Sequence, residues 1–263
     1  MGTEQLRKKN TRFLKLHFKR LLRDIGAHGV VGVANFRCVY EELMHVQQER
    51  LKLLAKERFE DFMKQGSFIS IGIAYAEKTI NDINVINGKT IDMERWNNYA
   101  SEYSRINGVL DRIAQHLAAE FEGMAIPATL SGLANKVEHV TDYFGNTVSH
   151  RTVAEMAGLG WRGKNGLIIN ETYSCALRFA SIVTEIPLSP GRRLQSKCGR
   201  CTACEDACSF IKNRARLKDY RENCRRYMVG LQRKGLDDEV CGKCIQACYR
   251  NGLFSKQFRL ENE

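Results

Sequence analysis

Cys198, Cys201, Cys204 and Cys208 follow one another as C-x2-C-x2-C-x3-C within CGRCTACEDAC; Cys241, Cys244 and Cys248 repeat the end of that run within CGKCIQAC, and Cys224 lies between. Thiolates at this spacing hold iron-sulfur clusters: a tight turn delivers three sulfurs to three irons of one cube, and the x3 step carries the fourth thiolate to the neighbouring cluster. Applied in both directions, the rule assigns Cys198, Cys201, Cys204 and Cys248 to one [4Fe-4S] cluster and Cys208, Cys224, Cys241 and Cys244 to a second. Zinc uses C-x2-C pairs well but does not account for a third cysteine after another x2 step and a fourth at x3. Ser209 and Tyr249 stand where proline usually follows the last cysteine of such a run, a departure that removes no ligand. Cys38 and Cys175 lack partners at metal spacing and read as small buried hydrophobes.

These ligands need a scaffold, and the composition supplies one. The chain has 263 residues, 43% hydrophobic and 27% charged, enough to bury a core without crosslinks in one large or two medium domains. No apolar run approaches the ~20 residues that span a bilayer. The start, MGTEQLRKKNTRFLKLHFKR, is too polar and basic for a secretory signal. The expected location is therefore the cytoplasm with no membrane partner, where cysteines stay reduced and their density points to metal or redox chemistry rather than disulfides. Eight of the ten cysteines fall between Cys198 and Cys248. Pro187 and Pro190, in PLSPGRRLQSK just ahead of that block, place a domain boundary, with one domain over 1–187 and a ferredoxin-like one over 188–263.

Ahead of the boundary, helix-like and strand-like stretches alternate. The pattern predicts a basic helix over 4–24, a strand over 30–36, a charged helix over 46–64 and a buried strand over 67–75 (SFISIGIAY). Trp96, Tyr99, Tyr103, Ile106, Leu110, Ile113 and Leu117 step by three and four, so a helix over 93–119 with one apolar face is expected. A helix over 149–157 and strands over 167–169 and 179–184 follow. Alternation of this kind predicts an α/β or α+β sheet domain.

The formal charge is +11, falling to about +7 once eight thiolates and two 2+ cubane cores are counted. Thirteen Lys and Arg against four Asp and Glu lie between Gly191 and Lys234, and eight more basic residues lie between 7 and 23. Such patches suit an acidic electron-donor protein, a phosphate-bearing ligand or RNA, or simply a solvated helix face. No RNA-recognition motif is visible.

Residues 149–170 read SHRTVAEMAGLGWRGKNGLIIN. A helix from Ser149 is expected to end at Gly158 in the left-handed conformation that closes helices. Gly160, Gly163 and Gly166 then permit tight turns around Trp161, Lys164 and Asn165, and would let a bulky ligand approach the main chain, with Arg162, Lys164 and Asn165 as donors. A plain loop between a helix and a strand uses the same glycines. The loop follows a helix rather than a strand, so it is not a dinucleotide fingerprint.

The order AGLGWRGKN, a strand, a proline-containing linker, CGRCTACEDAC and CGKCIQAC resembles the epoxyqueuosine reductase family of cobalamin-dependent iron-sulfur reductases, relatives of the reductive dehalogenases. The resemblance runs from about Ser149 to Cys248. It implies an α/β domain that holds cobalamin base-off, and a two-cluster ferredoxin domain that feeds it electrons to reduce an electrophilic substrate. The chain has no DxHxxG run of the kind that supplies an axial histidine, so none of its six histidines is required on cobalt. By motif, Arg151, Ala154, Gly158, Gly160, Trp161, Gly163 and Lys164, with Asn165 beside them, match the corrin-side helix and loop; Ser149 and His150 match a subgroup reading SHK or SHR.

Two departures stand out. Phe144 occupies the position of the family's catalytic aspartate, which leaves Asp142 and Tyr143 as candidate proton donors or as ordinary turn residues in TDYFGN. The chain also stops 15 residues after Cys248, without the helical-repeat extension of the tRNA-modifying members, so a small or nucleoside-like substrate is expected ahead of tRNA. The competing expectation is a non-catalytic ferredoxin-type electron carrier or corrinoid-handling protein.

Overall fold

The computed structural model describes residues 2–128 and 132–254. Its centre is a four-stranded sheet in the order Gly29–Asn35, Ser67–Ala74, Leu177–Thr184, Met124–Ile126. Every pairing is antiparallel, which makes the mixed α/β architecture an α+β one. The expected strand over 67–75 lies in the middle of the sheet, buried along its length as its β-branched run requires. The expected strand over 167–169 is only a two-residue ribbon, Ile168–Ile169 against Trp161–Arg162.

Alternation along the strands divides the core between two faces. Ile69, Ile71, Ile73 and Ile182 pack on one face against the helices Thr3–Asp24 and Met93–Glu120. Phe68 and Val183 pack on the other against Phe36, Val39, Leu51, Phe62 and Val153. In the long helix all seven residues of the predicted stripe are buried, and Asp92 caps its start by accepting from the Arg95 N–H at 3.0 Å. The charged stretch 46–64 is two helices, His45–Ala55 and Phe59–Gln65, separated where Lys56 takes φ 50°.

The linker is pinned to the sheet layer: Gly191 N–H donates to Val33 O at 2.8 Å, and Ser189 N–H to Thr11 Oγ1 at 2.8 Å. The C-terminal segment that follows adds Leu231, Leu236, Val240 and Tyr249 to the first-face core. Trp96 Nε1 donates to Cys241 O at 2.9 Å, and Gln246 Nε2 to Ile83 O at 2.7 Å. The start of the long helix and the segment 80–83 ahead of it therefore hold the second cysteine run in place.

A buried ion pair provides another tie. Glu222 takes Arg225 at 2.7 Å, Arg226 at 2.8 Å and the Val140 N–H at 2.9 Å, while Arg225 donates on to Ala134 O at 2.6 Å. The Arg225 hydrogen bonds, helped by Arg226 and Val140, outweigh burial and hold the Glu222 carboxyl down at about 2, from an ordinary 4.5. A depressed carboxylate stabilises fully above its ordinary value and loses that contribution as pH falls through the folded one. Glu222→Gln should cost about 3–5 kcal/mol at pH 7, the cost of orphaning one partner of a buried pair. In urea melts the difference from wild type should shrink as pH is lowered from 5 toward 2.

Candidate iron-sulfur centre and the adjoining recess

The first cysteine run folds around short helices. Cys204 lies on Ala203–Asp206, and Cys208 stands at the N-cap of Ser209–Lys212. Cys224 comes from the helix Tyr220–Arg233. Gly242 takes φ +77° between Cys241 and the helix Lys243–Arg250, which carries Cys244 and Cys248 one turn apart. A Cβ at Gly242 would sit 2.7 Å from Ile83 and 2.9 Å from Tyr99, so both backbone sign and packing demand glycine there.

Cys198, Cys201, Cys204 and Cys248 line one pocket together with Lys164, Asn165 and Ile169. Their sulfurs receive hydrogen bonds: Trp161 Nε1 to Cys198 Sγ at 3.4 Å, Asn251 Nδ2 to Cys201 Sγ at 3.2 Å and Ser174 Oγ to Cys248 Sγ at 3.2 Å. Cys208, Cys224, Cys241 and Cys244 form a second group whose thiols act on one another. Burial, then Cys241 and Cys208, push the Cys224 thiol up to about 12; burial, then Cys241, Cys224 and Cys208, push Cys244 well above its ordinary value. Burial, then Cys248, raises Cys204 to about 11. Thiols collected this way ionise only beside strong positive charge, which a metal core supplies.

Among the described residues no three cysteine sulfurs lie within 4.8 Å of one another.

Of the two cysteines expected to be isolated buried hydrophobes, Cys38 is instead exposed, on the short helix Phe36–Glu42, and Cys175 is buried but not isolated. It is buried beside Cys248, donating its S–H to that sulfur, while Asn165 Nδ2 lies 3.5 Å from it. No sequence spacing marks this neighbour, nor the donors Ser174 and Asn251.

The glycine loop forms the wall between the sheet and the cysteine block. A Cβ at Gly158 would meet Arg192 O at 2.6 Å, one at Gly160 would meet Ile169 O at 2.3 Å, and one at Gly163 the Ile169 side chain at 2.7 Å. These glycines are therefore required by the protein's own packing, not by an approaching ligand. Trp161 is buried, Lys164 Nζ donates to Cys201 O at 2.7 Å, and Asn165 Oδ1 accepts from the Leu167 N–H at 3.1 Å. Ser149 caps its helix through Thr152 N–H at 3.3 Å. His150, pulled down to about 4 mainly by burial, is neutral: Nε2–H donates to Pro127 O at 2.9 Å and Nδ1 accepts from Ser181 Oγ at 2.9 Å.

Gly166, φ +75°, is less confined: a Cβ there would make only ordinary contacts, with Tyr220 Oη at 3.7 Å and Arg151 Nη1 at 4.0 Å. Burial, then Arg162, lowers Arg151, which donates to Gly166 O at 3.0 Å. Arg178 donates twice to Asn107 Oδ1, at 3.0 and 2.9 Å, and lies 4.2 Å over the Tyr103 ring. Burial works against its charge, but Tyr103, Tyr75, Tyr99 and Tyr143 hold it above its ordinary value. Tyr143 acts on both guanidiniums. Asp142 is instead committed to a capping box, accepting from the His139 N–H at 3.0 Å. Arg151, Gly166 and Tyr220 thus meet, each half-buried: a guanidinium and a phenol beside bare backbone, donors of the kind a large amide- and phosphate-bearing cofactor uses.

No protein-family profile matches the chain. It is similar to the epoxyqueuosine reductase of Staphylococcus aureus, 31% identical over 125 residues that make up 42% of this chain and 32% of that protein. It is also similar to that of Bacillus subtilis, 41% identical over 129 residues, 44% of this chain and 32% of that one. A crystal structure of epoxyqueuosine reductase with an epoxyqueuosine-modified tRNA stem loop aligns at a TM-score of 0.42 and 21% identity, over 76% of this chain and 53% of that chain. The matched stretches span about a third of the length of these two curated relatives. In sequence the chain is epoxyqueuosine reductase-like, a relative of that family over about two-fifths of its own length.

Proposed function

We propose that this chain is an iron-sulfur reductase, in which residues 188–263 form a ferredoxin-like domain with two [4Fe-4S] clusters and residues 1–187 a corrinoid-binding-like domain that reduces a nucleoside-like electrophile. One observation carries the reading: Cys198, Cys201, Cys204 and Cys248, drawn from two separate sequence runs, line one pocket, and the glycine loop beside it meets both those cysteines and Arg151. Cys198, Cys201, Cys204 and Cys248 would hold one cluster, and Cys208, Cys224, Cys241 and Cys244 the other. Such clusters would supply one-electron storage, and a cobalamin would supply the reducing metal centre. The hydrogen bonds from Trp161, Ser174 and Asn251 to the first quartet's sulfurs would stabilise negative charge there and so raise the potential of a cluster held by them. Arg151 and Gly166 would hold the corrin rim. Tyr143, with Arg151 and Arg178 near its phenol, would deliver the proton that an epoxide needs along with electrons. An acidic electron-donor protein suits the basic surface around the cysteine block. The name carried by the curated relatives makes epoxyqueuosine the first electrophile to offer.

The internal engagement of His150, Trp161, Lys164 and Asn165 favours a second reading, a ferredoxin-type carrier without a corrinoid. Electron paramagnetic resonance of the anaerobically reconstituted protein with cob(II)alamin separates the two. A base-off signal, without nitrogen splitting from a histidine, is expected. A spectrum identical to free cob(II)alamin removes the corrinoid and leaves the carrier.

A further inference from the structure

We propose that His17, His116 and Glu120 form a binding site for a divalent transition-metal cation, outside the cysteine block, that ties the N-terminal helix to the long helix. His116 and Glu120 lie four residues apart on Met93–Glu120, the spacing that stacks two side chains on one helical face. His17 meets them from Thr3–Asp24. His17 Nε2 is 3.2 Å from His116 Nε2 and 2.8 Å from Glu120 Oε2. All three ligand atoms lie within 4.8 Å of one another, the one such group among the described residues. Zinc at about 2.0–2.1 Å from two imidazole nitrogens sets them about 3.3 Å apart. The nitrogens already stand at ligand separation, and the carboxylate needs only a small outward rotation.

Hydrogen bonding alone leaves this cluster short of a donor. Arg20 Nη2 lies 2.9 Å from His17 Nδ1, and a guanidinium only donates, so Nδ1 accepts and the one proton of neutral His17 sits on Nε2. With the His116 proton on Nδ1, that single hydrogen faces two acceptors, the Glu120 carboxylate and His116 Nε2. A compact dication in place of the hydrogen serves all three atoms at once. Two imidazoles and a carboxylate are the donor set of zinc, cobalt or nickel rather than magnesium or calcium, and the exposed sides of His116 and Glu120 leave room for water as a further ligand. Phe13 stacks on the His17 ring at 5.8 Å and 5°, fixing the ring plane. Arg20 is the opposing group. A metallated Nε2 moves the His17 proton to Nδ1, which cannot face a guanidinium, so the exposed Arg20 side chain must swing into solvent on binding.

The test is calorimetric titration of Zn²⁺ into cluster-loaded protein, with His116→Ala, Glu120→Gln and Arg20→Ala run beside it. All three positions are exposed, and circular dichroism checks that each variant keeps its fold. One zinc per wild-type chain is expected, bound several-fold more tightly by Arg20→Ala and at least about 10-fold more weakly by His116→Ala and Glu120→Gln, since losing even an outer-shell partner costs that much. Zinc-edge X-ray absorption should show nitrogen and oxygen neighbours and no sulfur. If the cysteines hold no clusters, the zinc they bind persists in His116→Ala, so the difference between the two proteins still reports this site alone. An isotherm unchanged by His116→Ala, no wild-type binding, or a sulfur-dominated edge overturns the proposal.

Discussion

Cys204→Ala and Cys248→Ala are expected to remove the same cluster, although the two residues belong to different sequence runs, and the double variant should lose no more iron than either single one. Each should fall to about half the wild-type iron, because an all-cysteine cubane that lacks one thiolate is lost far more readily than its intact neighbour. Cys244→Ala should remove the other half, even though Cys244 sits one helical turn from Cys248 on Lys243–Arg250. The physical basis is the pocket, in which Cys248 stands with Cys198, Cys201 and Cys204, whereas Cys244 is acted on chiefly by Cys241, Cys224 and Cys208. Iron analysis of the three single variants and the double one checks this. Additive losses from Cys204→Ala and Cys248→Ala would mean that the two serve different clusters.

The second large effect is at Gly160. An alanine methyl there would lie 2.3 Å from Ile169 O and 2.8 Å from the Ile168 side chain. Backbone cannot yield as a flexible side chain does, so the ribbon Trp161–Arg162 against Ile168–Ile169 must separate. We expect Gly160→Ala to cost about 3 kcal/mol, the upper part of the overpacking range. Because that ribbon carries Trp161, whose indole N–H bonds Cys198 Sγ, the variant should also lose the first quartet's iron faster than the second's under a chelator. Denaturant melts and a chelation time course check both effects. A variant as stable as wild type would show that the loop is slack, and would return its glycines to a ligand-binding explanation.

Sequence periodicity showed much of the scaffold, because the elements it marks are long and bury one face. The helix over 93–119 and the strand over 67–75 are of this kind. The break at Lys56 turns on one residue's φ. The strand Met124–Ile126 is three residues long and exists only through its pairing to Ile182 and its neighbours, so neither carries a periodic signal. The site divides the same way. Cysteine spacing is a local property and could be read directly. What Gly160 packs against, what Asp142 caps and what lies beside Cys248 depend on segments distant in sequence. The glycine run illustrates the hazard, since a bulky ligand and a tightly crossing strand ask for the same missing side chain. His17 and His116 are 99 residues apart; the only trace of their meeting in the sequence is the i, i+4 pair His116 and Glu120.

Two cubanes on eight thiolates fix the protein's iron content. Iron and acid-labile sulfide per chain, measured on anaerobically reconstituted wild-type protein, test it most directly. About eight of each are predicted from two [4Fe-4S] clusters. About four of each, or bound zinc without sulfide, would contradict it.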